Sequence, residues 1–166
     1  MVRSGVRLGV DVGSVRVGLA TSDPSGLVAT PVATVPRDMT DARADIARIA
    51  ATARDVGAIE VVVGLPRLLS GEEGEAARLA RAYALELAGA VAPVTVRLVD
   101  ERLTTVDAHR RLRQSGMAGR SQHEVVDQTA AVLILQSALD GERLSGRAPG
   151  SRVGSQRRRP RPKDRR

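Results

Sequence analysis

Residues 7–23 read RLGVDVGSVRVGLATSD. Apolar and small residues alternate on both sides of Val12-Gly13-Ser14-Val15, the pattern of two short strands joined by a turn. Asp11 falls inside the first strand, flanked on its own face by Gly9 and Gly13. Strand interiors disfavour aspartate, so this carboxylate is either a packing oddity or the holder of something charged. The two glycines keep bulky side chains away from it.

Outward from this hairpin, residues 27–35 (LVATPVATV) predict a third strand, with Pro31 marking an edge position or a bulge. Residues 41–56 predict a helix with Ile46, Ile49, Ala50, Ala53 and Val56 along one stripe, stopped by Gly57. A short apolar strand over 58–64 ends at Gly64 and Pro66, and a second helix over 73–91 carries Ala76, Ala80, Tyr83, Ala84, Leu87 and Val91 on one face. A fifth strand follows at 94–99, then a short helix over 105–115, an aperiodic and mobile loop over 116–123, and a last helix over 124–140. This order implies an α/β fold: a mixed five-stranded sheet, three antiparallel strands and then parallel ones, flanked by helices.

Length and composition narrow the class. A chain of 166 residues with 42% hydrophobic residues can bury one domain-sized core, built from aliphatic side chains because there is no Phe or Trp and one Tyr, Tyr83. The absence of Cys excludes disulfides, thiolate metal sites and cysteine catalysis, and two histidines, His109 and His123, make a His-rich zinc site a poor fit. No signal peptide or apolar run of membrane-spanning length is visible, so the expected location is cytoplasmic. The net charge of +7 is unevenly placed. Residues 1–145 hold 17 Lys+Arg against 18 Asp+Glu, whereas 146–166 hold 9 against 1. The expected organisation is a globular domain over 1–145 and a disordered basic tail over 146–166, serving either solubility or polyanion attraction.

Two further acids stand in unusual places. Glu101 ends the fifth strand in VRLVDERLTT, and Asp127 shares one face of the last helix with Ala130, Ala131 and Ile134. The small alanines would let that face approach the sheet. Three carboxylates from separate elements could thus converge, and a divalent cation would offset their mutual repulsion. Oxygen-only ligands suit Mg²⁺ or Mn²⁺, and two such ions ~4 Å apart serve phosphodiester hydrolysis. Simpler readings exist for two of them: Asp127 as a helix-start acid favoured by the dipole, and Glu101 as the ion-pair partner of Arg102.

The motifs GVDVGSVRVGLATSD (9–23), VVVGLP with GEEG (61–66 and 71–74), DERLTT (100–105) and VDQTAAVLILQSALD (126–140) together resemble the YqgF or RuvX family, the Holliday junction resolvase-like proteins. The resemblance covers about residues 5–140. It implies an RNase H-like fold and a metal-dependent endonuclease acting in 5′-end maturation of pre-16S rRNA, with resolution of branched DNA as the alternative. It places the family's acidic triad on Asp11, Glu101 and Asp127, as catalytic residues and metal ligands. Arg16 matches a basic position of the opening motif, and Thr104 and Thr105 match its hydroxyls after the glutamate. Ser14-Val15 stands where a Thr-Lys type pair is more frequent, and Arg67-Leu68-Leu69 replaces a more polar stretch. A fourth acid is not evident; Glu124, Asp23 and Asp100 are candidates.

With almost no aromatic residues, base stacking is nearly unavailable, so nucleic acid would be held through phosphates. The candidate substrate contacts are Ser14, Arg16, Arg102, Thr104, Thr105 and Arg120, with Arg67 and the arginine tail. The protein would act as a monomer or a homodimer. Two other functions share these features. DVGSVRVG also resembles the phosphate-binding hairpin of sugar kinases and actin-like ATPases, which need a second domain and a second Asp-Gly motif. An RNA-binding assembly factor could use the same acids to hold a structural Mg²⁺.

Overall fold

A computed structural model describes residues 2–103 and 120–154, and of residues 103 and 120–127 the backbone alone. The strands are β1 (Arg7–Val12), β2 (Arg16–Ser22), β3 (Ala29–Pro36), β4 (Glu60–Leu65), β5 (Thr95–Asp100) and β6 (Ser151–Arg152). The helices are α1 (Ala44–Asp55), α2 (Glu75–Val91) and α3 (Arg120–Ser145), with a 3-10 turn at Glu101–Leu103. The sheet order is β3-β2-β1-β4-β5-β6. Antiparallel ladders join β1 to β2 and β2 to β3, and parallel ladders join β1 to β4 and β4 to β5.

Period-two alternation sends successive side chains to opposite faces of the sheet. Leu8, Val10, Leu19, Val61, Val63 and Leu98 enter a core with Ile49, Ala80, Tyr83 and Leu87 of α1 and α2. Ala20 and Val62, facing the other way, pack with Ala130, Ala131, Ile134 and Leu135 of α3. Every residue of β4 is buried, as expected of a central strand covered on both faces. Pro31 sits in the edge strand β3, and the register slips opposite it, between Leu19 and Ala20. Among the described residues no helix is long and apolar enough to cross a membrane.

Two details differ from the sequence reading. A sixth strand extends the sheet beyond residue 145: β6 pairs antiparallel with β5, Val153 N–H donates to Val96 O (2.9 Å), and Arg97 Nη1 donates to Pro149 O (3.2 Å). The strand pairing uses backbone groups and one arginine side chain, so low apolar content did not keep Ser151–Arg152 from joining the sheet. The last helix starts at Arg120, four residues earlier than expected, and so absorbs part of the anticipated loop. The expected helix over 105–115, the loop residues 116–119 and tail residues 155–166 lie outside the described residues.

The amino ends of the parallel strands carry a charge network. Arg3 bridges Glu142 of α3 (Nε–Oε1, 2.8 Å) and Glu60 of β4 (Nη2–Oε1, 3.0 Å), and Arg97 pairs with Glu60 (2.8 Å). Arg7, Glu60 and Glu142 are buried, and Arg7 lies 3.5 Å from Glu142. The hydrogen bond from Arg3 is the main reason the Glu142 carboxyl titrates below its ordinary range, although burial acts the other way. A carboxyl with a depressed folded pKa adds stability above its unfolded value of about 4.3, and that stability is lost as pH falls through the folded value. Glu142→Gln should therefore lower stability at neutral pH and flatten the acid limb of an unfolding-versus-pH curve. An unchanged limb would show that the network does not hold α3.

Candidate active site

The parallel strands all point their carboxyl ends one way, which is where open α/β sheets place their ligands. Asp11 lies near the end of β1, Gly64 near the end of β4, and Glu101 directly after β5. Asp11 and Glu101 are each only 1% exposed. Both make interactions with neighbouring groups, while Oδ2 of Asp11 and Oε2 of Glu101 are buried without a hydrogen bond.

Helix α3 closes over this end because two glycines let it. A Cβ on Gly9 would lie 2.7 Å from Leu135 Cβ and 3.0 Å from Ala131 O, distances that side chains do not tolerate. A Cβ on Gly64 would lie 2.5 Å from both Glu101 Oε1 and Ile134 Cδ1. The Glu101 carboxylate thus occupies the space of a missing methyl, between β4 and α3. Gly64 is an interior residue of β4 rather than its terminator, and this is the functional position the sequence reading missed. Its signal was a glycine inside an apolar run, which often marks close approach of another group.

The path of α3 locates Asp127 by backbone alone. Glu142 meets the amino ends of the strands, Ala131 and Leu135 meet Gly9, and residue 127 lies one turn further toward the carboxyl ends. Gln128, the next residue, donates to Thr34 Oγ1 (3.2 Å). Thr34 is opposite Gly18, and Gly18 is opposite Asp11, so the three form one row across β3, β2 and β1. The side chain of Asp127 lies outside the described residues, as do those of Arg120 and Glu124 and the whole of Thr104 and Thr105. Among the described residues no group of three His, Cys, Asp or Glu side chains could hold a metal.

Other expected site residues have definite places. Ser14 is exposed in the β1–β2 turn, and Arg16, half-buried, opens β2 and makes interactions there. The turn is tied down by Arg37, which donates from Nη1 to Gly13 O (2.9 Å) and from its backbone N–H to Val15 O (2.8 Å). Arg37 in turn sits 3.5 Å from the buried carboxylate of Asp45 and stacks 4.8 Å from the centre of the Tyr83 ring. Tyr83 O–H donates to Asp45 Oδ2 (3.0 Å), and burial foremost pushes its phenol well above the usual tyrosine range. Arg102 turns to Asp100: its Nη2 bonds Asp100 Oδ2 at 2.7 Å, which lowers the Asp100 pKa. Asp100 is therefore committed to arginine. Asp23 accepts from the N–H groups of Leu27 (2.8 Å) and Val28 (2.9 Å), a turn-stabilising role.

The two-layer wrapping of a mixed sheet, with acids at its carboxyl edge, defines an RNase H-like fold. A chain of the solved structure "T. thermophilus RuvC in complex with Holliday junction substrate" superposes with a TM-score of 0.53 at 16% identity, covering 87% of this chain and 99% of that one. Residues 5–141 match the family RuvX: Holliday junction resolvase, and the chain belongs to that family. A relative from Nocardioides sp. named "Putative pre-16S rRNA nuclease" is 58% identical over 92% of this chain and 98% of its own length. One from Streptomyces avermitilis with the same name is 53% identical over 92% and 96%.

The Gly64 contact yields a direct test. Gly64→Ala should cost about 1–3 kcal/mol, as overpacking does, because the added methyl would have to displace the buried ends of the Glu101 and Ile134 side chains. Gly89, in α2, has nothing within 4 Å of an added Cβ, so Gly89→Ala should instead stabilise by about 0.5–1 kcal/mol through helix propensity. Urea unfolding of the pair checks this; equal, stabilising effects would mean that Glu101 is not seated against Gly64.

Proposed function

We propose that this protein is a divalent-metal-dependent endonuclease that hydrolyses phosphodiester bonds in pre-16S rRNA during 5′-end maturation, in the cytoplasm. The observation that carries this reading is the seating of the Glu101 carboxylate in the space left by Gly64, beneath α3, at the same carboxyl edge of the sheet as buried Asp11. An aliphatic core has no structural need for two buried acids there. The names of the close relatives support the substrate.

The donor set fits hard cations: carboxylate oxygens, with no Cys anywhere in the chain. Asp11, Glu101 and Asp127 would hold Mg²⁺ or Mn²⁺, in one or two sites. Held by these residues, such ions would supply activation of water and stabilisation of the departing oxygen. The chain's own residues supply position. β1 fixes Asp11 on a strand paired on both sides, so its carboxylate cannot drift with a loop. The 3-10 turn sets Glu101 back under the sheet edge. α3 shields both acids from bulk water. Ser14, Arg16, Arg102, Thr104, Thr105 and Arg120 would contact the strand, largely through phosphate oxygens, consistent with a chain whose one aromatic residue is buried.

Asp11→Asn keeps the shape and removes the charge. Cleavage of a pre-16S rRNA fragment in Mg²⁺ should fall by at least about a hundredfold, more than the ~10–100-fold typical for loss of a supporting partner. Equal Mg²⁺-dependent cleavage by both proteins would overturn the proposal. The second reading, resolution of DNA junctions, is favoured by the family's description. It requires a two-fold dimer to cut two strands symmetrically, and a preference for four-way junctions over rRNA precursor would select it.

Residues 155–166 carry 7 Lys+Arg against 1 Asp. They would add sequence-independent attraction through counterion release. Removing them should weaken RNA binding and make the slope of log affinity against log salt shallower, by about 0.7 for each lost contact on single strands. An unaltered slope would show that this segment does not touch RNA.

A further inference from the structure

The carboxyl ends of β4 and β5 lie side by side, Leu65 opposite Asp100 in the last rung of their ladder. Two residues beyond each stands an arginine, Arg67 and Arg102. Both guanidinium groups turn to the same carboxylate. Arg102 binds Asp100 closely, Nη2 to Oδ2 at 2.7 Å and Nε to both oxygens at 3.2 Å. Its backbone N–H also donates to Asp100 Oδ1 (2.9 Å). Arg67 is held more loosely, Nε at 3.7 Å from Asp100 Oδ2 and Nη2 at 3.7 Å from Glu73 Oε1. Both contacts are ion pairs beyond hydrogen-bond distance, and Arg67 Nε is buried without a hydrogen bond. Glu73 is itself engaged by Arg81, whose Nε donates to it at 2.8 and 3.0 Å. Three arginines therefore share two carboxylates.

The β4–α2 loop backs onto this group. Gly71 has φ +87°, and a Cβ there would lie 3.1 Å from Arg102 Nη1. Asp100 immediately precedes Glu101, whose carboxylate is seated at Gly64. Asp100 and Arg102 therefore flank a proposed metal ligand in the chain, and Arg67 meets the same Asp100 carboxylate from the end of β4. Arginine presents planar, forked donors matched to phosphate oxygens, and two such groups around one carboxylate leave a local positive charge.

We infer that Asp100 is a positioning residue, holding Arg67 and Arg102 as a two-guanidinium fork that grips a phosphate of the RNA strand beside the scissile bond. This rests on the nuclease reading above. It assigns Asp100 the opposite role to a metal ligand: its charge is spent on arginine, so that arginine is ordered before substrate arrives.

The inference has a sign that a purely electrostatic role would not share. Removing a negative charge from a polyanion-binding surface should tighten binding if Asp100 only dilutes the positive field. If Asp100 holds the fork, Asp100→Asn should weaken binding despite the gain in positive charge, by about five- to tenfold given two charge-assisted contacts disordered. Fluorescence anisotropy of a labelled single-stranded RNA with the full-length protein in EDTA measures this without cleavage. Asp100→Glu, which keeps the charge, should recover most of the affinity. In an Arg67→Ala/Arg102→Ala background, Asp100→Asn should have no further weakening effect. In Mg²⁺, Asp100→Asn should raise KM far more than it lowers kcat.

Tighter or unchanged binding by Asp100→Asn overturns the inference, as does equal weakening in the arginine-less background. Wild-type protein that binds RNA but never cleaves it overturns the nuclease reading and leaves the fork standing. Wild-type protein that binds no RNA overturns both.

Discussion

The contact on which the rest depends is the near approach of α3 to the middle of the sheet. A helix packed on a sheet normally stands off by the length of side chains on both surfaces. Here Gly9 and Gly64 remove those side chains on β1 and β4, and Ala130 and Ala131 remove them on α3. The helix backbone comes to 3.0 Å from where a Cβ of Gly9 would be. That closeness seats the Glu101 carboxylate beside Ile134 of α3, and both Glu101 and Asp11 are almost wholly buried. Burial disfavours the charged form of a carboxyl, so a site of this kind is paid for in stability and is expected only where the charge is used.

Close packing alone would not fix how far along its axis α3 lies. The register is set at the other end, where Glu142 is gripped by Arg3 and approached by Arg7, and where Glu60 ties Arg3 and Arg97 together. Buried ion pairs are costly unless well satisfied, and their best-attested benefit is to select one arrangement among several apolar ones. An aliphatic stripe of Ala, Ile and Leu could slide by a turn; a carboxylate between two arginines cannot. The Gln128–Thr34 bond then aligns the helix, one residue past Asp127, with the cross-strand row that contains Asp11. The acidic edge is thus placed by a lock at the opposite edge of the sheet.

This division explains what was legible in the sequence. Alternation and apolar stripes report which face of an element is buried, so the hairpin, β3 with Pro31 at an edge, α1, α2, β4 and β5 were all visible, and Asp11 stood out against them. Features set by contacts between distant segments were not. Gly64 looked like a strand terminator because its role depends on Glu101, far along the chain. Arg102 looked like a partner for Glu101, yet the turn after β5 folds it back onto Asp100. No sequence pattern marked Asp45, which α1 directs inward to Tyr83 and to Arg37, the residue that ties down the β1–β2 turn. β6 is a two-residue strand with no apolar pattern, joined to the sheet by backbone bonds that composition does not reveal.

Charge distribution poses the remaining physical problem. Residues 1–145 carry one more acid than base, and the acidic edge adds local repulsion just where a polyanion would have to come. Net charge over residues 1–145 cannot therefore draw a polyanion to this surface; the positive groups must be local or must come from the C-terminal segment. Both kinds exist. The arginines at the ends of β4 and β5 lie beside Glu101, and the basic residues of the C-terminal segment hold most of the chain's excess. Attraction from the segment would be long-ranged, non-specific and screened by salt over about 8–10 Å. The fork acts at contact distance and has a fixed direction, because Asp100 and the β4–α2 loop hold it. On the proposed reading, capture and alignment would be separate tasks of separate parts of the chain, and only the second would demand the sheet edge that Gly9 and Gly64 make possible.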